Sequence, residues 1–199
     1  MKKKIIIFFF LLAINKPIYA NEIKILAWVN NEIITSNDLI NQVIIKKKIL
    51  NKIIYRINER QELLELIEKK LKYQEIKNYN ITIDSKIIEI NLQNLINKNN
   101  INNNFLKENS YLENLIKEEI KIELCWKKLI LNLYKSKINL NMFEIENKID
   151  FIDKNFSENK KKEIENQLYI EQRNKKMNVY SNKHLSMLQK KAFIKINEK

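Results

Sequence analysis

The chain contains no glycine, which limits its folds more than any other feature of its sequence. Its 199 residues include a single proline, Pro17. Phosphate-binding loops and dinucleotide-binding folds need glycine because their backbone must approach the phosphates closely. The nucleophile elbow of serine hydrolases needs glycine on both sides of its serine. The sequence therefore excludes these nucleotide-binding and hydrolase sites.

The first twenty residues have the pattern of a secretory signal peptide. Three lysines, Lys2 to Lys4, precede the apolar run over residues 5–14, and Ala20 follows a short polar segment. An apolar run of about ten residues is too short to cross a bilayer, which takes about 20 residues. We expect cleavage after Ala20 and a mature protein that works outside the cytoplasm. Because Ile18 is bulky for a cleavage site, a leader retained as a membrane anchor is the alternative.

The mature chain is expected to be basic. The formal charge is +13, and residues 1–20 contribute four lysines and no acid, which leaves +9. Residues 156–199 carry eleven lysines and arginines against five acids. A basic segment attracts anionic surfaces. Its lysines are scattered without interleaved aromatic residues, so we expect no nucleic-acid binding but a solvated face with peripheral contact to a membrane or to assembly machinery.

The sequence offers no catalytic or metal-ligating set. Cys125 is the only cysteine, so an intramolecular disulfide is excluded. His184 is the only histidine, and it has no partner at the spacing of a zinc site. We expect Cys125 to be a small buried side chain and His184 to lie at the surface or at a helix end. We expect no metal and no cofactor.

The two ends of the mature chain have the pattern of β-strands. Apolar and polar residues alternate from Ile23, Asn30 and Asn31 supply a tight turn, and a second strand ends at Thr35. Residues 192–196 alternate in the same way. The sequence thus predicts a mainly α protein, a helical bundle with a small sheet formed by an N-terminal hairpin and a C-terminal strand.

Helical periodicity fills the region between these strands. Thr35 and Asp38 have the spacing of a capping box, and Asp84 is a good N-cap. The spacing of apolar residues predicts helices over about 36–55, 59–78, 85–98, 105–108, 111–135, 142–152, 162–180 and 183–190. Residues 138–140 are expected to be extended, and residues 154–162 form the best linker candidate.

Several short stretches carry a family resemblance. They are the strand–turn–cap segment over 25–39, Arg60-Gln61-Glu62-Leu63-Leu64-Glu65-Leu66-Ile67, the helix from Asp84 to Asn99-Asn100, the helix over 111–131, and Ala192-Phe193-Ile194-Lys195-Ile196. Their order resembles the SurA family of periplasmic chaperones. The long helix lacks the arginine that is usual in that family.

The resemblance implies a chaperone module without enzymatic activity. Members of the family usually carry one or two parvulin-type prolyl isomerase domains, but only residues 137–158 separate the two matching parts here. The implied organisation is a signal peptide over 1–20, a helical chaperone domain over 21–155, and a C-terminal helix and strand over 156–199 that pack back on it. A degenerate isomerase and a membrane-tethered interaction protein are the alternatives.

The implied activity is ATP-independent binding of unfolded outer-membrane or secreted polypeptides. Such a site needs an apolar groove with permissive polar contacts. The long helix has apolar residues on more than one face, and the predicted groove residues are Trp28, Tyr111, Leu112, Leu115, Ile122, Trp126 and Leu129. The simpler alternative is that each of these is an ordinary core residue.

Overall fold

Three antiparallel strands bring the two ends of the described chain together. The computed structural model describes residues 23–49, 58–101, 106, 108–139 and 157–197. Within these residues the elements are, in chain order, β1 (Ile25–Val29), β2 (Glu32–Thr35), α1 (Ser36–Ile49), α2 (Glu59–Asn78), α3 (Ser85–Asn99), α4 (Ser110–Leu133), α5 (Lys135–Ile138), α6 (Glu158–Lys191) and β3 (Ile194–Ile196). The fold is mainly helical with one small sheet, as predicted.

The C-terminal strand completes the sheet by pairing with the first strand. The strand order is β2-β1-β3, and Ala27 lies opposite both Ile34 and Ile196. Beyond the strand ends, Asn30 N–H donates to Phe193 O at 2.8 Å. One face of the sheet is buried, and on it Ala27, Val29 and Ile34 are at most 1% exposed. The predicted closure of the domain by its two ends is therefore confirmed.

Asparagine takes the backbone conformations that glycine takes in most chains. Among the described residues, positive φ angles of 53°, 51° and 51° occur at Asn30, Asn80 and Asn100. Asn30 lies in the β1–β2 turn, and Asn80 and Asn100 follow the ends of α2 and α3. Asparagine tolerates the left-handed region better than most residues because its short amide can bond locally. The absence of glycine therefore does not prevent tight turns.

Polar side chains cap the helices at the predicted positions. The Thr35 N–H donates to Asp38 Oδ2 at 2.7 Å, and the Asp38 N–H donates to Thr35 Oγ1 at 3.3 Å, which completes the capping box of α1. Asp84 Oδ1 accepts from the Lys86 N–H at 2.8 Å at the start of α3. Both caps orient their helices relative to the preceding strand or connector.

The larger core lies beneath the sheet. It joins the inner face of the sheet to α2, to the C-terminal half of α4, to α5 and to α6. Its buried side chains include Leu66, Ile67, Leu71, Trp126, Leu129, Ile130, Ile138 and Leu185. A second, smaller core lies between α3 and the N-terminal half of α4. It consists of Leu92, Ile96, Leu106, Leu112 and Ile116.

The structure differs from the sequence prediction at two helices. α6 is one continuous helix over Glu158–Lys191, where two helices with a break near residues 181–182 were predicted. Nothing in Ser181-Asn182 interrupts the backbone, since the chain has neither glycine nor proline there. Residues 135–138 form the helical turn α5, although an extended segment was predicted from residue 138. Ile138 is buried in the larger core, and this contact stabilises the turn.

Other predictions lie wholly or partly outside the described residues. These are the signal peptide over 1–20, the continuation of the first helix beyond residue 49, residues 105 and 107 of the short helix, the helix over 142–152 and residues 154–156 of the linker. The rest of the linker prediction is wrong, because residues 158–162 belong to α6. Within the described part of the chain, no helix combines the length and apolar character needed to cross a membrane.

Candidate functional site

The long helix α4 carries most of the predicted groove residues, and these side chains differ in how deeply they are buried. Trp126 and Leu129 lie in the larger core, and Leu112 lies in the smaller one. Leu115, Ile122 and Leu129 recur at intervals of two helical turns and so share a face, but Leu115 and Ile122 lie nearer the start of α4 and are half-buried. Tyr111 is 64% exposed at the N-terminal end. The structure therefore leaves Tyr111, Leu115 and Ile122 accessible on α4.

A first cleft opens where α1, α2, α4 and β2 meet. Its volume is about 340 Å³. The apolar part of its lining is Ile34, Ile45, Leu66, Leu115 and Ile122, and its polar part is Glu32, Asp38, Asn41, Gln42, Lys69, Lys70, Tyr73 and Glu118. Two of the predicted groove residues thus line an open cleft with apolar side chains from three other elements.

Two further clefts adjoin the first along α4. The second, of about 440 Å³, lies between the start of α3 and α4, and it shares Leu115 and Glu118 with the first cleft. Tyr111 lines this second cleft. The third, of about 580 Å³, lies between α1, α3 and α4, and it shares Gln42 and Ile45 with the first. The shared side chains make the three clefts one connected surface around α1 and α4.

Ion pairs link the helices that form these clefts. Lys69 pairs with Glu119, and Lys72 pairs with Glu123 at 2.7 Å, so both pairs join α2 to α4. Lys117 joins α4 to α3 through Glu89 at 2.9 Å. Because these side chains are partly exposed, each pair contributes at most about 1 kcal/mol. Their main effect is to fix the positions of charges at the cleft rims.

A more buried ion pair joins α1 to α2. Lys46 Nζ contacts Glu62 Oε2 at 2.7 Å and Glu65 Oε2 at 2.5 Å. Burial lowers the pKa of Lys46, but the hydrogen bonds that Lys46 donates to Glu62 and Glu65 outweigh this effect, and the net pKa is raised. The lysine therefore stays charged, and it holds α1 against α2 beside the first and third clefts.

Trp28 lies apart from the clefts, on the outer face of the sheet. Its register partners are Ile33 on β2 and Lys195 on β3. Lys195 Nζ lies 5.3 Å from the centroid of the Trp28 ring, within the range of a cation–π contact. The structure does not bring Trp28 together with the predicted groove residues of α4.

The sequence-based interpretation of His184 is wrong, because the side chain is only 5% exposed. Its Nε2 lies 3.0 Å from Glu75 Oε1, and its Nδ1 lies 2.9 Å from Tyr134 Oη. A carboxylate can only accept, so Nε2 carries a proton, and in the neutral ring Nδ1 accepts from Tyr134. His184 therefore ties α6 to α2 and to the end of α4. The sequence around His184 gave no indication that it bonds to residues of other helices.

Cys125 is buried in the larger core, as expected. Burial raises the pKa of the Cys125 thiol, which opposes formation of the reactive thiolate. Among the residues described, no group of three or more histidine, cysteine or acidic side chains could hold a metal ion. The clefts thus offer apolar surface with fixed charges at their rims.

The chain was compared with models of protein families and with curated protein sequences. No model of a known protein family matches it. No curated protein sequence matches it either. The resemblance to the SurA family accordingly remains a prediction from the sequence.

Proposed function

We propose that this chain is an ATP-independent periplasmic chaperone that binds unfolded outer-membrane or secreted polypeptides in the three connected clefts. One observation carries the proposal. Leu115 belongs to neither core, Ile122 is half-buried against the larger core, and both line the first cleft beside Ile45 and Leu66. The free energy falls when an apolar segment covers half-buried apolar side chains in an open cleft.

The polar rim of the first cleft suits clients of varied sequence. Lys69 and Lys70 already pair with Glu119 and Glu32. The Asp38 carboxylate already accepts from Thr35. A charged ligand would have to displace these contacts, whereas a neutral apolar segment would not. Such a site favours apolar segments without selecting one sequence.

The absence of glycine supports an activity that does not use ATP. Phosphate-binding loops are excluded by the composition, so a nucleotide-driven cycle of the kind built on such loops is excluded as well. The binding free energy then comes from burial of apolar surface, and release depends on the client folding or being passed on.

An aggregation assay with an unfolded β-barrel protein tests the proposal. The wild-type chain at several-fold molar excess should suppress light scattering by the diluted client. The double variant Leu115→Ser/Ile122→Ser should lose most of this suppression, because it removes the apolar walls of the first cleft. The matched control is Ile90→Ser, since Ile90 is 59% exposed on α3 and lines none of the three clefts.

Crosslinking shows directly whether a client occupies the cleft. Cys125 is buried and has a raised pKa, so a cysteine introduced at Leu115 can be labelled selectively with a photoreactive group. The labelled Leu115→Cys variant should crosslink to an unstructured apolar peptide, and a labelled Ile90→Cys variant should crosslink far less. Equal crosslinking at both positions, or no suppression of aggregation by the wild type, would contradict the proposal.

A further inference from the structure

The outer face of the sheet is an exposed apolar surface that the clefts do not use. Trp28, Ile33 and Lys195 lie opposite one another in the register, so they share this face. Ile25 lies opposite Thr35, two residues from Ile33, and Phe193 is two residues from Lys195, so both lie on the same face. We call these five residues, Ile25, Trp28, Ile33, Phe193 and Lys195, the sheet patch.

The side chains of the sheet patch are open to solvent. Ile25, Ile33 and Phe193 are 38%, 43% and 62% exposed, whereas Ala27, Val29 and Ile34 on the opposite face are at most 1% exposed. The backbone at Phe193 is fixed, because its N–H donates to Asn30 Oδ1 at 3.0 Å and its O accepts from Asn30. The exposed apolar side chains therefore belong to a held surface and not to a frayed chain end.

Four lysines lie in the sheet patch or next to it along the chain. Lys24 precedes β1, Lys190 and Lys191 end α6 just before Phe193, and Lys195 belongs to the patch. All four are exposed, and none forms an ion pair with a residue that the structure describes. The strands themselves carry one acid in their described part, Glu32, which already pairs with Lys70 at 2.9 Å. The surface is both apolar and positively charged.

We propose that the sheet patch docks on the surface of an anionic lipid bilayer. Tryptophan and phenylalanine rings partition to the boundary between headgroups and acyl chains. Lysines near an anionic surface add to the affinity, by about fivefold for each residue. An apolar surface that contains Lys195 and has three further lysines nearby along the chain complements an anionic bilayer.

The charge of the patch disfavours a second copy of the chain as its occupant. A two-fold interface over the sheet patch would place Lys195 and its three neighbouring lysines against the same residues of the partner. Like charges opposed across an interface are unfavourable. An anionic bilayer places the opposite charge there, so it is the occupant that the observations favour.

Binding to lipid vesicles tests the proposal. The exported protein is purified as the cell produces it, its N-terminus is determined by mass spectrometry, and it is mixed with vesicles of phosphatidylcholine alone or with added phosphatidylglycerol. We expect binding to the anionic vesicles that weakens with salt, and little binding to the neutral ones. The tryptophan emission should shift to the blue on binding, and Trp28→Phe should remove this shift, because Trp126 stays in the core.

Matched substitutions separate the sheet patch from the rest of the surface. Ile33→Ser/Phe193→Ser should weaken vesicle binding at least tenfold, whereas Ile170→Ser, at a residue 58% exposed on α6, should not change it. Lys190→Gln/Lys195→Gln should weaken binding to anionic vesicles by about 25-fold. The control pair, Lys86→Gln/Lys183→Gln, also removes two exposed lysines, and it should have a much smaller effect.

Three outcomes would overturn the proposal. They are equal binding to neutral and anionic vesicles, vesicle binding unchanged by the patch variants, and a wild-type dimer that Ile33→Ser/Phe193→Ser converts to a monomer. The last outcome would make the sheet patch a subunit interface. Because the patch shares no residue with the three clefts, its variants should still suppress client aggregation. Failure of membrane binding would therefore leave the proposed chaperone activity untouched.

Discussion

The sheet end and the α3 arm of the molecule are stabilised to different degrees. The sheet end comprises the strands, α2, the C-terminal half of α4 and α6, and its core draws on segments from both ends of the chain. The α3 arm comprises α3 and the N-terminal half of α4, and its small core is held mainly by those two helices. Local unfolding should therefore cost less free energy in the α3 arm. The clefts lie beside this less stable part, where small adjustments of α1 and α3 can fit different clients.

The largest expected losses of stability come from truncating one buried leucine in each core. Leu129 in the sheet end and Leu92 in the α3 arm are 0% and 2% exposed. We expect Leu129→Ala to lower the free energy of unfolding by about 3–5 kcal/mol and Leu92→Ala by about 2–3 kcal/mol, because the smaller core can collapse around the lost volume. Urea denaturation followed by circular dichroism measures both values.

Hydrogen exchange then shows where each variant is loosened. Leu92→Ala should accelerate exchange mainly in α3 and in the N-terminal half of α4, and Leu129→Ala should accelerate it throughout the described chain. If Leu92→Ala accelerates exchange in the sheet as strongly as in α3, the two regions form one cooperative unit and the contrast between them is wrong.

A smaller effect is expected from the histidine that fastens α6 to the sheet end. His184→Ala should lower the free energy of unfolding by about 2–3 kcal/mol, because it leaves Glu75 and Tyr134 without their shared partner. Tyr134→Phe removes one of these hydrogen bonds and should cost about 1 kcal/mol. Thermal or urea denaturation gives both numbers. A cost for His184→Ala no larger than that for Tyr134→Phe would mean that the Glu75 contact adds nothing.

The smallest expected changes in stability come from replacing two asparagines that have the same backbone conformation. Asn100 ends the α3 arm with φ of 51°, and Asn100→Gly should raise the free energy of unfolding by about 0.5 kcal/mol because glycine adopts this conformation without strain. Asn30→Gly should instead lower it by about 1 kcal/mol, since the Asn30 side chain bonds Phe193 and Gln74. Equal effects at both positions would show that the Asn30 amide does not hold β3 in place.

Most of the fold follows from local patterns in the sequence. The period of the apolar residues predicted α2 with its observed bounds, and the Asn30-Asn31 turn and the Thr35–Asp38 cap were predicted from residue chemistry. The pairing of the two chain ends was predicted because isolated strands must find partners. The continuity of α6 was not, because the polar run after Tyr180 resembles a helix end. Only the tertiary structure shows that Ser181 accepts from Trp126 Nε1 at 2.8 Å.

The site was harder to predict than the fold. Periodicity showed which faces of α4 are apolar, but it cannot say over what length of a face other elements cover it. Leu115 and Ile122 therefore looked the same in the sequence as Trp126 and Leu129, which the structure places in the core. The burial of His184 depends on Glu75, 109 residues away, and no local pattern encodes such a contact.

The sheet carries a consequence for how the protein is made. β3 meets β1 across a separation of 163 residues, measured between Phe193 and Asn30. A ribosome therefore releases β1 long before β3 exists, and the edge that β3 will cover is open throughout synthesis. Open strand edges pair readily with other chains. The growing polypeptide therefore needs protection from such pairing until β3 emerges. A product that terminates before β3 would keep the edge of β1 open.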